Sequence, residues 1–283
     1  MDSLFLVLKS TVTLSAPLLL AAMAGYTSER TGVINIALEG KMLAGCLAAG
    51  LVGILSGSAV LGVLAGVTAA VLMSLLHWLL TQSYSIDHIV SGMAVNAVSF
   101  GATSFLYKNY TDPSKVTETP TLPLPAYYAI AFVVPVALAW VSSRTRFGLR
   151  LRAVGGDPEK SRSMGLNPGA VRFKSLLLTG LFCGLSGTLI VSNTGYFTDG
   201  MTAGRGFIAL AALIIGSWRP IPTMIACIAF GFLEALQLQL QGTRLAGAEI
   251  PRELWNVLPY LATVIALAGF VGKSRAPAGL GKP

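Results

Sequence analysis

Long apolar runs constrain this chain more than any other feature, because almost all the charge is gathered into the short segments between them. Charged residues make up 11% of its 283 residues and hydrophobic residues 54%, whereas a soluble domain carries roughly 25% charged residues. A run of about 20 apolar residues is what a helix needs to cross the hydrocarbon core. Lipid selects helices because they satisfy their own backbone hydrogen bonds. No stretch shows the ten-residue alternation of an outer-membrane barrel. The expected fold is all-α and polytopic, with eight or nine transmembrane helices, some broken or re-entrant, in a single membrane domain over 1–283.

Apolar spans are expected near 4–25, 33–55, 58–80, 87–107, 126–142, 173–193, 205–217, 220–240 and 255–272. The first reads as a retained helix rather than a signal peptide, since Met1-Asp2-Ser3 supplies no basic region ahead of it. Between the fifth and sixth spans, residues 143–174 hold Arg144, Arg146, Arg150, Arg152, Lys160, Arg162, Arg172 and Lys174 against only Asp157 and Glu159. By the positive-inside rule this loop faces the cytoplasm. Counting spans outward from it puts the C-terminus inside, in agreement with Lys273, Arg275 and Lys282, and the N-terminus outside.

The net charge of +8 follows from those loops and does not point to nucleic acid. Cys46, Cys183 and Cys227 all lie in apolar runs, with neither metal-ligand nor disulfide spacing. His77 and His88 show no ligand spacing either, so no metal site is expected. Gly272-Lys273-Ser274 resembles the end of a phosphate loop, but Leu267 stands where its glycine is required. The chain therefore does not bind ATP through that motif. No catalytic triad or carboxylate pair stands out, and no segment is long enough for a water-facing catalytic domain. Gly62-x-x-x-Gly66 and Gly180-x-x-x-Gly184 are expected to pack helices within the chain.

Four segments carry chemistry. In Ser28 through Gly40, Asn35 and Glu39 stand one helical turn apart. Polar groups in lipid should face protein or a watery path, so the pair either lines the translocation path or makes structural contacts. Glu29 could pair with Arg30 or cap the next helix. In Ile89 through Asn96, Asp87 caps the span and Asn96 lies at mid-membrane depth, as a path residue or a helix–helix bond. In the basic loop, Asp157 is an N-cap, Pro158 the first helical residue and Gly165 the stop, giving a short helix near 158–164. Asn167-Pro168 repeats the start signal. In Phe197 through Phe207, glycines flank Arg205 and permit an interrupted helix at the pathway, where Arg205 either snorkels or pairs with Glu39 or Glu29.

Taken together, Ser28-Glu29-Arg30-Thr31-Gly32-Val33-Ile34-Asn35 through Gly40, Ile89 through Asn96, Arg152-Ala153-Val154-Gly155 through Leu166, and Thr202-Ala203-Gly204-Arg205-Gly206-Phe207 through Ala212 resemble, in order, the signature segments of permeases in nucleoside and simple-sugar ABC importers. The wider group includes ribose and branched-chain amino acid permeases. The resemblance implies a half-pore with no cofactor of its own, with ATP held by separate ATPase subunits. It also implies a second homologous permease, an extracellular or periplasmic substrate-binding protein, and a bacterial inner-membrane location. It makes Gly155, Asp157, Pro158 and Gly165 part of the ATPase coupling loop, and it favours nucleosides over simple sugars or other ribosyl compounds as cargo. Glu159-Lys160-Ser161-Arg162 replaces the small residues usual after the family's proline, and Asp87-His88 replaces Asn-Gln or Asn-Glu. An ion-coupled secondary transporter is the rival from a different class. It would need an intramembrane ion site, for which Asn35, Glu39 and Asn96 are the only candidates.

Overall fold

The computed structural model describes residues 2–110, 118–241, 244–245, 248–249, 255, 257, 261–265, 268–269 and 276–282. Among these the chain is helical: α1 Asp2–Glu29, α2 Leu38–Ser56, α3 Ala59–Trp78, α4 His88–Tyr110, α5 Leu124–Arg144, α6 Arg146–Gly156, α7 Pro158–Ser163, α8 Pro168–Thr194, α9 Arg205–Ile215 and α10 Pro220–Leu240. A π-helical turn, Leu79–Ser83, prolongs α3, and Arg244–Leu245 pairs antiparallel with Ala248–Glu249. Seven helices are long and apolar enough to cross a membrane: α1, α2, α3 with its extension, α4, α5, α8 and α10. The expected span at 205–217 is α9, whose 11 residues rise about 16 Å, roughly half the hydrocarbon core. The ninth expected span, 255–272, is helical at 255, 257, 261–265 and 268–269, and the other half of it lies outside the described residues.

The bundle is built around α8 and α2, most of whose side chains are buried. Small residues bring the backbones close. A Cβ added at Gly180 or Gly184 of α8 would stand 2.5 Å from Cα of Val71 or Val67 of α3. On the other side of α3, Gly62 meets Gly53 and Ala49 of α2. Both spaced glycine pairs therefore serve packing within the chain, as expected. Proline inside α1 creates a local problem, which the core resolves. Pro17 has no N–H, which strips the Thr13 carbonyl of its helical donor, and Asn193 Nδ2 of α8 donates to that carbonyl at 3.4 Å instead.

Two local readings are corrected. Asn35 and Glu39 do not share a helix: α1 ends at Glu29, Gly32 adopts φ +95°, and residues 30–37 form an irregular connection before α2 starts at Leu38. The basic loop contains two helices rather than one. In α6, Gly148, Leu151, Val154 and Gly155 are buried while Arg146, Arg150 and Arg152 point outward. The short helix α7 follows with the expected caps. Asp157 accepts from Lys160 N at 3.0 Å, and Gly165 at φ +81° closes it, with Gly165 N donating to Arg162 O and Leu166 N to Ser161 O.

Candidate functional site

The segment 195–218 takes the chain from the end of α8 back into the bundle. Thr119 N bonds Gly195 O, and Ser104 near the end of α4 bonds Asp199. The chain then turns through Ala203 and Gly204, both at positive φ, and starts α9 beside α2. A helix begins with unpaired N–H groups and a partial positive charge. Here the carboxylate of Glu39 supplies the cap: Oε1 accepts from Gly204 N at 2.7 Å and Oε2 from Gly206 N at 2.6 Å. Nothing larger than glycine fits at 206, since a Cβ there would be 2.5 Å from Glu39 N. Thus Glu39 meets the backbone on both sides of Arg205 but not its guanidinium. The partner of Arg205 is Glu234 of α10, at 2.9 Å, rather than Glu39 or Glu29, and Met201 O accepts a second bond at 3.3 Å.

Asn35 and Asn96 tie the 30–37 connection to its neighbours. Asn96 Oδ1 accepts from Gly40 N at 2.8 Å, and its Nδ2 donates to Ile36 O at 3.0 Å. Asn35 Nδ2 donates to Ser28 Oγ, and its Oδ1 accepts from Lys41 Nζ, both at 2.9 Å. Asn35, Glu39 and Asn96 therefore converge on one connection, with Arg205 adjoining it through the α9 start.

Several residues that sequence reasoning missed or gave other partners complete the site. Lys41, fully buried, also contacts His77 Nδ1 at 3.1 Å. Glu29 accepts from Asn35 N and from Trp218 Nε1, so it pairs with neither Arg30 nor Arg205. Arg172, 1% exposed, donates to Thr31 O, Gln82 Oε1 and Lys282 O, joining the 30–37 connection, the α3 extension and the C-terminal segment. The Ser-Glu-Arg-Thr-Gly context was the only available signal for Glu29, and nothing local marked Arg172 or Glu234.

Gly155 of α6 lies directly against the Arg30 carbonyl, and its own carbonyl accepts from Gly279 N at 2.8 Å. Gly281 N reaches Gly32 O at 2.8 Å. One face thus gathers the end of α1, helices α6 and α7, and residues 276–282. The carboxyl of Asp157 is held below its ordinary value, first by the Lys160 backbone N–H. Its cap is therefore fully present above the normal carboxylate range and is lost only as pH falls through the depressed value. Asp157→Ala should free the start of α7 and lower thermal stability, Asp157→Asn should not, and the difference between wild type and Asp157→Ala should be flat between about pH 6 and 8. A pH-dependent difference in that window would remove the cap from the account.

The ion pair supports a second measurable expectation. Lys cannot reproduce a guanidinium that serves Glu234 and Met201 O together. Arg205→Lys and Glu234→Gln should each lower the melting temperature, and the double variant should fall short of the sum of the two losses. Strictly additive losses would reject coupling between them.

The model of the family described as branched-chain amino acid transport system / permease component matches residues 7–267. The guanosine ABC transporter permease protein NupQ of Bacillus subtilis (strain 168) is 35% identical, over 99% of this chain and 96% of its own length. The nucleoside ABC transporter permease protein NupC of Lactococcus lactis subsp. cremoris (strain MG1363) is 32% identical, over 98% and 95%. Among solved structures, PsaBC from Streptococcus pneumoniae in complex with Fab shares the fold at a TM-score of 0.54 and 13% identity, covering 95% of this chain and 91% of that one. With its membrane-length helices, its capped broken crossing and this full-length match, the chain belongs to the branched-chain amino acid transport system permease family and is a membrane pore subunit of an ABC importer, not an enzyme.

Proposed function

We propose that the chain is one half of the translocation pore of a nucleoside importer. The observation that carries this reading is the 35% identity to a guanosine permease over nearly the whole of both chains. Residues 1–283 form one transmembrane domain in the bacterial inner membrane, paired with a second homologous permease. ATPase subunits dock on the 143–174 face, and a substrate-binding protein delivers cargo from the opposite side. Residues 276–282 bond Gly155 and Gly32 on the face that carries α6 and α7, which supports a cytoplasmic C-terminus and an external start for α1.

In this reading Asn35, Glu39, Asn96 and Arg205 set the shape of the path rather than grip the cargo, since their polar atoms are engaged within the chain. Helices α6 and α7 are the coupling element. A push on α7 reaches α1 through the contact of Gly155 with Arg30, and so reaches the connection that carries Asn35 and leads into Glu39. Such a chain of rigid contacts transmits a rigid-body displacement without new chemistry. Gly165→Pro tests it: proline cannot adopt φ +81° and removes the donor to Arg162 O. Transport per ATP should fall severalfold while membrane insertion persists, and an unchanged ratio would exclude α7 as the coupler.

The substrate is tested by labelled uptake in cells lacking other nucleoside importers. Guanosine, adenosine and uridine should enter in an ATPase-dependent manner, and excess ribose or glucose should not compete. Uptake that needs only an ion gradient, or competition by the sugars alone, would overturn the proposal.

A further inference from the structure

A cleft of about 290 Å³ opens where α5 ends and α10 begins. It is lined by Arg30 at the end of α1, Ser142 and Ser143 at the end of α5, Arg152 of α6, and Trp218 and Arg219 before α10. Three guanidinium groups share it, and none of the three makes a side-chain ion pair or hydrogen bond among the described residues. Among the described residues no carboxylate lines the cleft; Glu29, which bonds the lining residue Trp218, is 2% exposed and has its oxygens taken by Asn35 N and Trp218 Nε1. The cleft is therefore a concentration of uncompensated positive charge.

Its position in the fold indicates what neutralises it. Directly above it, α5 and α10 present outward apolar faces: Val133, Val136 and Trp140 on α5, and Ile221 and Ile225 on α10. Trp140 and Ile225 are each 63% exposed on helices long and apolar enough to cross a membrane, a surface suited to acyl chains. The stripe runs down both helices and ends at the arginines. Basic pockets between membrane helices at this level bind anionic lipid headgroups, and a guanidinium fork matches phosphate oxygens in two-point contact. An acidic protein partner would need the same charges but would have no use for the apolar wall.

We infer that the Arg30, Arg152 and Arg219 cleft is a binding site for the phosphate of an anionic glycerophospholipid, whose acyl chains lie along α5 and α10. Occupied, the site links the end of α1, the coupling helix α6 and the start of α10 through one phosphate. This inference stands apart from the identity of the cargo and is tested without transport.

The full chain in detergent is titrated with dioleoylphosphatidylglycerol and with dioleoylphosphatidylcholine, and bound lipid is counted by native mass spectrometry. Phosphatidylglycerol should bind preferentially. The double variant Arg152→Ala/Arg219→Ala alters exposed side chains and should fold. It should weaken phosphatidylglycerol binding by about 30-fold, taking about 1 kcal/mol for each basic residue near an anionic surface, with phosphatidylcholine unaffected. Arg152→Lys/Arg219→Lys should keep most of the preference. Equal binding of the two lipids, or unchanged phosphatidylglycerol binding in the alanine variant, would overturn the site. Displacement of phosphatidylglycerol by millimolar inorganic phosphate would make it a free-anion site. Loss of a copurifying ATPase with lipid binding intact would assign the cleft to a protein partner. Either result rejects the lipid.

Discussion

Glu39→Gln is expected to cut uptake to below about a tenth of wild type at equal membrane abundance. The carboxylate accepts from Gly204 N and Gly206 N at 2.7 and 2.6 Å, and hydrogen bonds to a charged acceptor contribute about 1.5–3 kcal/mol each. An amide keeps one oxygen and turns an NH2 group toward the second N–H, so one bond is lost and one buried donor faces another. Every 1.4 kcal/mol is about tenfold in an equilibrium. Freeing the start of α9 by one such bond is therefore enough to depopulate its working register. Glu39→Asp keeps the charge on a shorter stem and should recover part of the activity. Uptake above half of wild type in Glu39→Gln, with an unchanged melting temperature, would show that the cap does not govern α9.

A single methyl group on α6 should have a comparable effect by a different route. In Gly155→Ala the new Cβ would fall on the Arg30 carbonyl oxygen, a backbone atom that cannot rotate away. Overpacking of this kind costs about 1–3 kcal/mol, and here it also lifts α6 from α1 and strains the bond from Gly279 N to Gly155 O. ATP hydrolysis should continue while transport per ATP falls at least severalfold. The adjacent Gly156 provides the control, because a Cβ there meets nothing within 4 Å. Gly156→Ala should behave as wild type. If the two variants lose coupling equally, the contact between α6 and α1 is not the route.

What the sequence disclosed follows from the range of the interactions. Caps are local, so Asp157-Pro158, Asn167-Pro168 and Asp87 could be read directly, and α7 falls within the expected 158–164. Apolar runs of membrane length were equally legible. The connection 30–37 was not, because Asn35 and Glu39 fit helical spacing and only the surrounding bundle breaks the helix between them. For Arg205 the sequence left snorkelling or a pair with Glu39 or Glu29, but its partner Glu234 lies inside a span whose composition gave no reason to look there. Arg172 was counted among the basic-loop charges, yet it is buried, and so is Lys41. Charge along a sequence says that a residue needs compensation, and only three dimensions say whether water or a neighbouring carbonyl provides it.

The way α9 begins also bears on the electrical character of the cargo. A helix end buried at membrane depth is a reservoir of positive potential, and it would draw a carboxylate or phosphate into the pathway and hold it there. Glu39 cancels that potential, and Arg205 is cancelled in turn by Glu234. In the proposed reading, where Glu39 and Arg205 shape the path, solutes passing the start of α9 meet charges that are already matched. Charges so matched offer an anion no compensation for its lost hydration shell, while an uncharged molecule pays no such penalty. In that reading, discrimination beside α9 is set by net charge before any contact with a base, a sugar or a side chain.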